Sequence, residues 1–106
     1  MKYRVLLQPP AERDLEDTYL WAAKHAPETA ARWFLRFREA LEALSCNPER
    51  CGLAPEHRRV NRQLRQLLYG RKPNVFRAIF LVDGEIVRIL RIRHASRRFL
   101  KREELG

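Results

Sequence analysis

Three side chains on one short stretch are suited to chemistry. In NVFRAIFLVDGEIVRILRIRHASRR, residues 74–98, Arg77 and Arg88 interrupt runs of aliphatic residues and His94 closes the second run. A guanidinium presents a planar fork of donors that fits a phosphate or a carboxylate. An imidazole has an ordinary pKa near ~6.5, so it can take up or release a proton at neutrality. Cations on an apolar strand call for an anion, supplied by a partner or by the chain itself.

The elements that hold these residues follow from the pattern around them. Two runs rich in Val, Ile and Phe flank Asp83-Gly84, a dipeptide suited to a two-residue hairpin turn with positive φ. With those two as the turn, Val82 lies opposite Glu85, Arg77 opposite Leu90 and Val75 opposite Ile92. One face then carries Phe76, Ala78, Phe80, Val82, Val87 and Ile89, with Arg91 and Arg93 at its far end, and is expected to pack on helices. The other carries Val75, Ile79, Leu81, Ile86, Leu90 and Ile92, broken by Arg77 and Arg88 and ending at His94.

Charge is distributed unevenly along the chain. Of the net +9, none resides in residues 1–53, where eight Lys/Arg meet eight Asp/Glu; residues 54–106 hold fourteen against five. Twelve of those fourteen are arginines, which favours a polyanionic partner, nucleic acid or an acidic protein segment, over a merely soluble surface. The 106 residues are expected to form one domain, 1–106, burying roughly 65% of the unfolded surface. No apolar run reaches the ~20 residues of a membrane span, and MKYRVLLQPP reads as a first strand rather than a signal peptide, so a cytoplasmic protein is expected. Cys46 and Cys51, with His57 beyond, lack an evident fourth ligand for zinc and read as free thiols; no metal or cofactor is expected.

The remaining elements are legible in order. Lys2–Gln8 alternates as a strand until Pro9-Pro10, after which Ala11, Leu15, Tyr19, Ala22 and Ala26 repeat at helical spacing with acidic residues in the opening turns. Pro27 starts a second helix with Ala30, Phe34, Phe37, Leu41 and Leu44 on one side and Trp33 widening that stripe, ending at Asn47-Pro48. Residues 48–62 read as a loop, Gln63–Tyr69 as a strand, and Gly70 to Asn74 as a basic turn. Ser96 is placed to cap a short terminal helix containing Phe99 and Leu100. The fold class is α+β, ordered β-α-α-β-β-β: a helical hairpin on one face of a small, mainly antiparallel sheet, with an optional short C-terminal helix. The sheet face bearing Arg77, Arg88 and His94 is expected to stay partly open.

Over nearly its whole length the chain resembles the RelE/ParE superfamily of type II toxin–antitoxin toxins. PPAERDLEDTYLWAAKHAPETAARWFLRFREALEAL is similar to the family's helical hairpin, and NPERCG to the loop that follows it. LRQLLYGRKPNVFRAIFLVDGEIVRILRIRHASRR is similar to its three closing strands, with Phe76, Arg77, Phe80 and the strand-closing His94. The resemblance implies a toxin neutralised by a cognate antitoxin whose extended segment wraps it, in a hetero-oligomer. It also implies one of two targets. ParE-like members poison DNA gyrase by protein contact; RelE-like members are metal-independent endoribonucleases that cleave mRNA on the ribosome.

For the nuclease alternative Arg77 would hold the scissile phosphate and His94 would act as acid or base, with Glu56 or Tyr69 as further candidates. In the register read above Arg77 lies opposite Leu90, four residues and ~13 Å along the strand from His94. Against it, Ala95 follows His94 and Phe99 lacks a hydroxyl where nuclease members often carry a tyrosine. The second helix and its APETAARWF start look ParE-like, and that branch is favoured. Arg71, Lys72, Arg88, Arg91, Arg93, Arg97 and Arg98 are the candidates for contact with nucleic acid or an acidic partner. Structural alternatives stand beside these roles: a bridge from Arg77 to a carboxylate or the tail, a backbone bond for His94, and a solvated fringe for the arginines.

Overall fold

The computed structural model describes residues 2–105. Strand β1 (Arg4–Leu7) leads into helix α1 (Pro9–Ala23), helix α2 (Pro27–Glu42), the one-turn helix α3 (His57–Val60), and strands β2 (Arg65–Arg71), β3 (Asn74–Asp83) and β4 (Ile86–His94). The sheet order is β1-β4-β3-β2, with β1 parallel to β4 and the other pairs antiparallel. The α+β class and the order of strands and main helices are as expected from sequence.

Local chemistry sets the boundaries. Prolines occupy the first turn of both α1 and α2, where a missing N–H leaves no intrahelical bond unmade. Asn47 takes the left-handed conformation (φ 48°) just before Pro48, where the helical hairpin ends. Ala11 and Leu15 of α1 and Ala30, Phe37 and Leu41 of α2 are buried. With Leu44, most of them join Ala78, Phe80, Val87, Ile89 and Ile92 of the sheet in the main core. Phe37 stacks on Tyr69 with ring centroids 4.8 Å apart, fixing the hairpin of helices over β2 and β3.

The hairpin between β3 and β4 differs from the sequence reading in two ways. Its two-residue loop is Gly84-Glu85: Asp83 pairs with Ile86 and Val82 with Val87. Gly84 takes φ 59° at the first central position, while Asp83 stays in the strand, its carboxylate accepting from Arg88 Nε at 3.1 Å. Further on, Phe80 pairs with Ile89 but Ile79 pairs with Arg91, so Leu90 is an extra residue without a partner. Such a bulge reverses which way every later side chain points.

Ile92 therefore enters the helix-side core and His94 follows it to that face, where its ring meets Phe76 edge-on at 5.1 Å. Arg93 pairs with Arg77 and lies on the opposite face instead of at the end of the helix-packed one. The expectation of a charged open face ending at His94 is corrected accordingly. That second face is also largely covered. Ala54, Leu64, Ile79, Leu100 and Leu105 form a second core in which the 54–64 segment and the C-terminal tail lie on the sheet. The terminal helical turn is Arg102–Leu105; Phe99 and Leu100 precede it in extended chain, and Ser96 bonds to His94 rather than capping a helix.

Candidate functional site

Arg77 projects from the centre of β3 into the second core and is 4% exposed. Its Nη1 donates to Glu56 Oε2 at 3.0 Å, its Nη2 to Glu56 Oε1, and its Nε to Gln66 Oε1 at 2.8 Å. Glu56, fully buried, also accepts from the backbone N–H of Leu100 at 2.9 Å. Burial alone would raise the Glu56 pKa; the hydrogen bonds from Arg77, from Leu100 and from its own backbone outweigh that and hold it below the usual carboxylate range. Phe99 lies across the guanidinium, its centroid 5.3 Å from Cζ, and Arg59 Nη1 donates to the Leu100 carbonyl at 2.9 Å. Both oxygens of Glu56 and all three nitrogens of Arg77 are engaged, and the node clamps the tail to the sheet.

The arginines of β4 and the tail are mostly matched within the chain. Asp14 of α1 accepts from Arg91 Nε at 2.7 Å and Nη2 at 2.9 Å, and from the Ile92 N–H at 3.0 Å. Its carboxylate thus takes over the β4 edge where β1 stops, and the hydrogen bond raises the Arg91 pKa. Arg93 donates to the Arg98 carbonyl and to Glu104, while burial and the neighbouring Arg97, Arg98 and Arg91 lower its pKa. Glu104 also binds Arg98 and the Lys101 N–H, and chiefly the Arg98 bond pushes its pKa down to about 2. Arg88 pairs with Asp83. Of the seven expected contact residues, Arg71, Lys72 and Arg97 are exposed and form no ion pair among the described residues.

His94 and Tyr69 lie on the helix side, away from Arg77 and Glu56. His94 Nδ1 accepts from the Ser96 N–H at 3.1 Å and lies 2.7 Å from Ser96 Oγ. A nitrogen that accepts from a backbone N–H carries no proton, so the neutral ring is protonated at Nε2. His94 forms one end of an apolar groove of about 400 Å³ lined by Trp21, Trp33, Phe76, Asn74 and the small residues at the α1–α2 turn. Trp21 is two-thirds exposed there. Cys46 and Cys51 are free thiols, burial raising the pKa of Cys51, and no group of His, Cys, Asp and Glu suited to a metal occurs among the described residues. Nor, among them, is any helix long and apolar enough to cross a membrane.

The structure thus joins Arg77 to Glu56, sets His94 and Tyr69 on the other side of the sheet, and adds Asp14, Gln66, Leu100 and Glu104 to the charged network. Those four carry no sequence signal; each is an ordinary surface-type or tail residue until the fold is known.

Comparison with known proteins agrees with this architecture. Residues 5–99 match the family model for the ParE toxin of the type II toxin–antitoxin system parDE. A chromosomal ParDE toxin–antitoxin system from P. aeruginosa is similar at 24% identity and TM-score 0.71, over 90% of this chain and 98% of that one. The RelBE2 toxin–antitoxin complex from Mycobacterium tuberculosis is similar at 26% identity and TM-score 0.55, over 89% and 99%. No curated protein matches the sequence. With the family match spanning nearly all of the fold, the chain belongs to the ParE toxin family of type II toxin–antitoxin systems.

Proposed function

We propose that the protein inhibits growth in the cytoplasm by binding DNA gyrase through protein–protein contact, and that a cognate antitoxin neutralises it by occupying its surface. The observation that carries the reading is the separation of the acid–base and anion-binding candidates. Arg77 is closed against Glu56 on one face of the sheet, and His94 and Tyr69 sit on the other. Metal-independent RNA cleavage requires a base, an acid and a cation around one phosphate, each within hydrogen-bond reach. A phosphate at Arg77 would have to displace a bonded carboxylate, and ribosome-dependent mRNA cleavage is therefore the weaker alternative. An exposed aromatic groove suits a protein partner with apolar side chains.

The test is a supercoiling assay with gyrase of the same host. Inhibition by the purified toxin is expected, relieved by stoichiometric antitoxin. Unimpaired supercoiling at saturating toxin, together with mRNA cleavage on ribosomes that is lost in His94→Ala, would reverse the assignment.

A further inference from the structure

The positive charge of the second half has a concentration that the fold leaves open. His57, Arg58, Asn61, Arg62 and Gln63, in and just past α3, line a hollow of about 350 Å³. The two residues between them anchor the segment from beneath: Arg59 Nη1 donates to the Leu100 carbonyl at 2.9 Å, and Val60 packs against the second core. Asn61 takes the left-handed conformation (φ 50°) and turns the chain after a single helical turn, so that Arg62 lines the same hollow as His57 and Arg58. Arg58, Asn61, Arg62 and Gln63 are exposed and His57 is half-buried. Among the described residues no carboxylate lines the hollow, and neither arginine forms an ion pair. Glu56, next in the chain, is buried and committed to Arg77 and the Leu100 N–H. Arg62 also borders a second hollow with Arg102 of the tail, exposed and equally without an ion pair among the described residues, so the cationic surface continues onto a separate segment.

We propose that this surface binds the phosphate backbone of duplex DNA without regard to sequence. Guanidinium forks, with the side-chain amides of Asn61 and Gln63 beside them, match phosphate oxygens. The rest of the lining selects among polyanions. It has no aliphatic side chain, so an acidic protein segment would gain exposed ion pairs and bury nothing apolar. It has no Trp, Tyr or Phe on which the unpaired bases of a single strand could stack. A duplex needs neither: it carries one charge per ~1.7 Å of axis, and each phosphate neutralised releases counterions. With four residues, α3 is too short to lie along the major groove and read base edges, so contact stays with the backbone. The inference does not rest on the gyrase reading, since a toxin with either target could carry this surface.

Fluorescence anisotropy of a labelled duplex of about 20 base pairs, titrated with the full chain between about 50 and 200 mM salt, tests it. Binding is expected at low salt, equal for two duplexes of unrelated sequence and falling steeply as salt rises. Arg58→Gln/Arg62→Gln should weaken it about tenfold or more and lower the slope of log K against log salt by about 2. Arg32→Gln/Arg36→Gln removes the same charge from exposed positions of α2, on the far side of the sheet, and should keep the parent slope. All four side chains are exposed, and unchanged melting curves establish that both variants fold. Absent binding at low salt, no loss in the first variant, an equal loss in the second, or affinity that differs between the two sequences would each overturn the proposal. So would a single-stranded oligonucleotide or an oligoglutamate peptide that displaces the duplex at a lower concentration of charge.

Discussion

Glu56→Gln removes one charge from the most enclosed ion pair while preserving its shape. Glu56 is 0% and Arg77 4% exposed, so water cannot replace the lost carboxylate. The glutamine oxygen can replace only one of the two carboxylate oxygens, and its NH2 group then faces either Arg77 Nη2 or both Arg77 Nη1 and the Leu100 N–H, all donors. Breaking a buried pair from one side costs about 3–5 kcal/mol. Gln66 and the Phe99 ring still hold Arg77, which argues for the lower end, near ~3 kcal/mol. Against a total stability of ~5–15 kcal/mol that is a large fraction, and at ~4–8 °C per kcal/mol the melting temperature should fall by about 12–24 °C. Urea and thermal unfolding followed by circular dichroism measure both. The double variant Glu56→Leu/Arg77→Met should lose much less than the sum of its single variants, because it leaves no orphaned charge. A Glu56→Gln protein within ~1 kcal/mol of the parent, or strictly additive single variants, would refute the reasoning. Acid adds a second reading. The carboxyl is held low in the fold, so the unfolded chain binds more protons; its stabilisation is complete above about 4.3 and is lost as pH falls through the lower folded value. Glu56→Gln should flatten that limb of the pH–stability curve.

Other predictions rest on single features. Glu104, with its pKa pushed down to about 2, should keep the tail docked well below the ordinary carboxylate value and release it only as pH approaches 2; a Lys101 amide whose shift titrates near ~4.3 would contradict this. Asp14→Ala should cost about 1–3 kcal/mol and speed amide exchange at Ile92, since it strips the partner from a strand-edge N–H as well as from Arg91; unchanged exchange there would count against it. Gly70 has φ 107°, and a Cβ there would run into the Asn74 carbonyl oxygen, so Gly70→Ala should destabilise by about 1–3 kcal/mol in urea titration, and a neutral result would show that the turn yields.

The helical hairpin was legible because Ala30, Phe37, Leu41 and Leu44 recur at helical spacing and prolines mark where helices begin and end. The last two strands were equally plain, but their faces were not. Alternation assumes one residue per step, and the extra Leu90 breaks the count where two aliphatic residues, Ile89 and Leu90, adjoin. A trace was present: the buried apolar positions of β4 run Val87, Ile89, Ile92, a step of two followed by a step of three. The match between Arg77 and Glu56 had no such trace. It joins a strand to an aperiodic segment twenty-one residues earlier and is completed by the backbone of the tail, so only the folded chain shows that the cation carries its own counter-charge.

The sheet order also has a consequence in time. β1 leaves the ribosome before the other elements of this fold, yet the strand it pairs with is β4, the last of the four strands to be made. The Asp14 carboxylate waits for the same strand, and the second core waits for Leu100 and Leu105. Pairings this distant close slowly and only once both ends exist. A nascent copy therefore has no finished sheet to present until β4 and the tail have been made, and one truncated before them never acquires it.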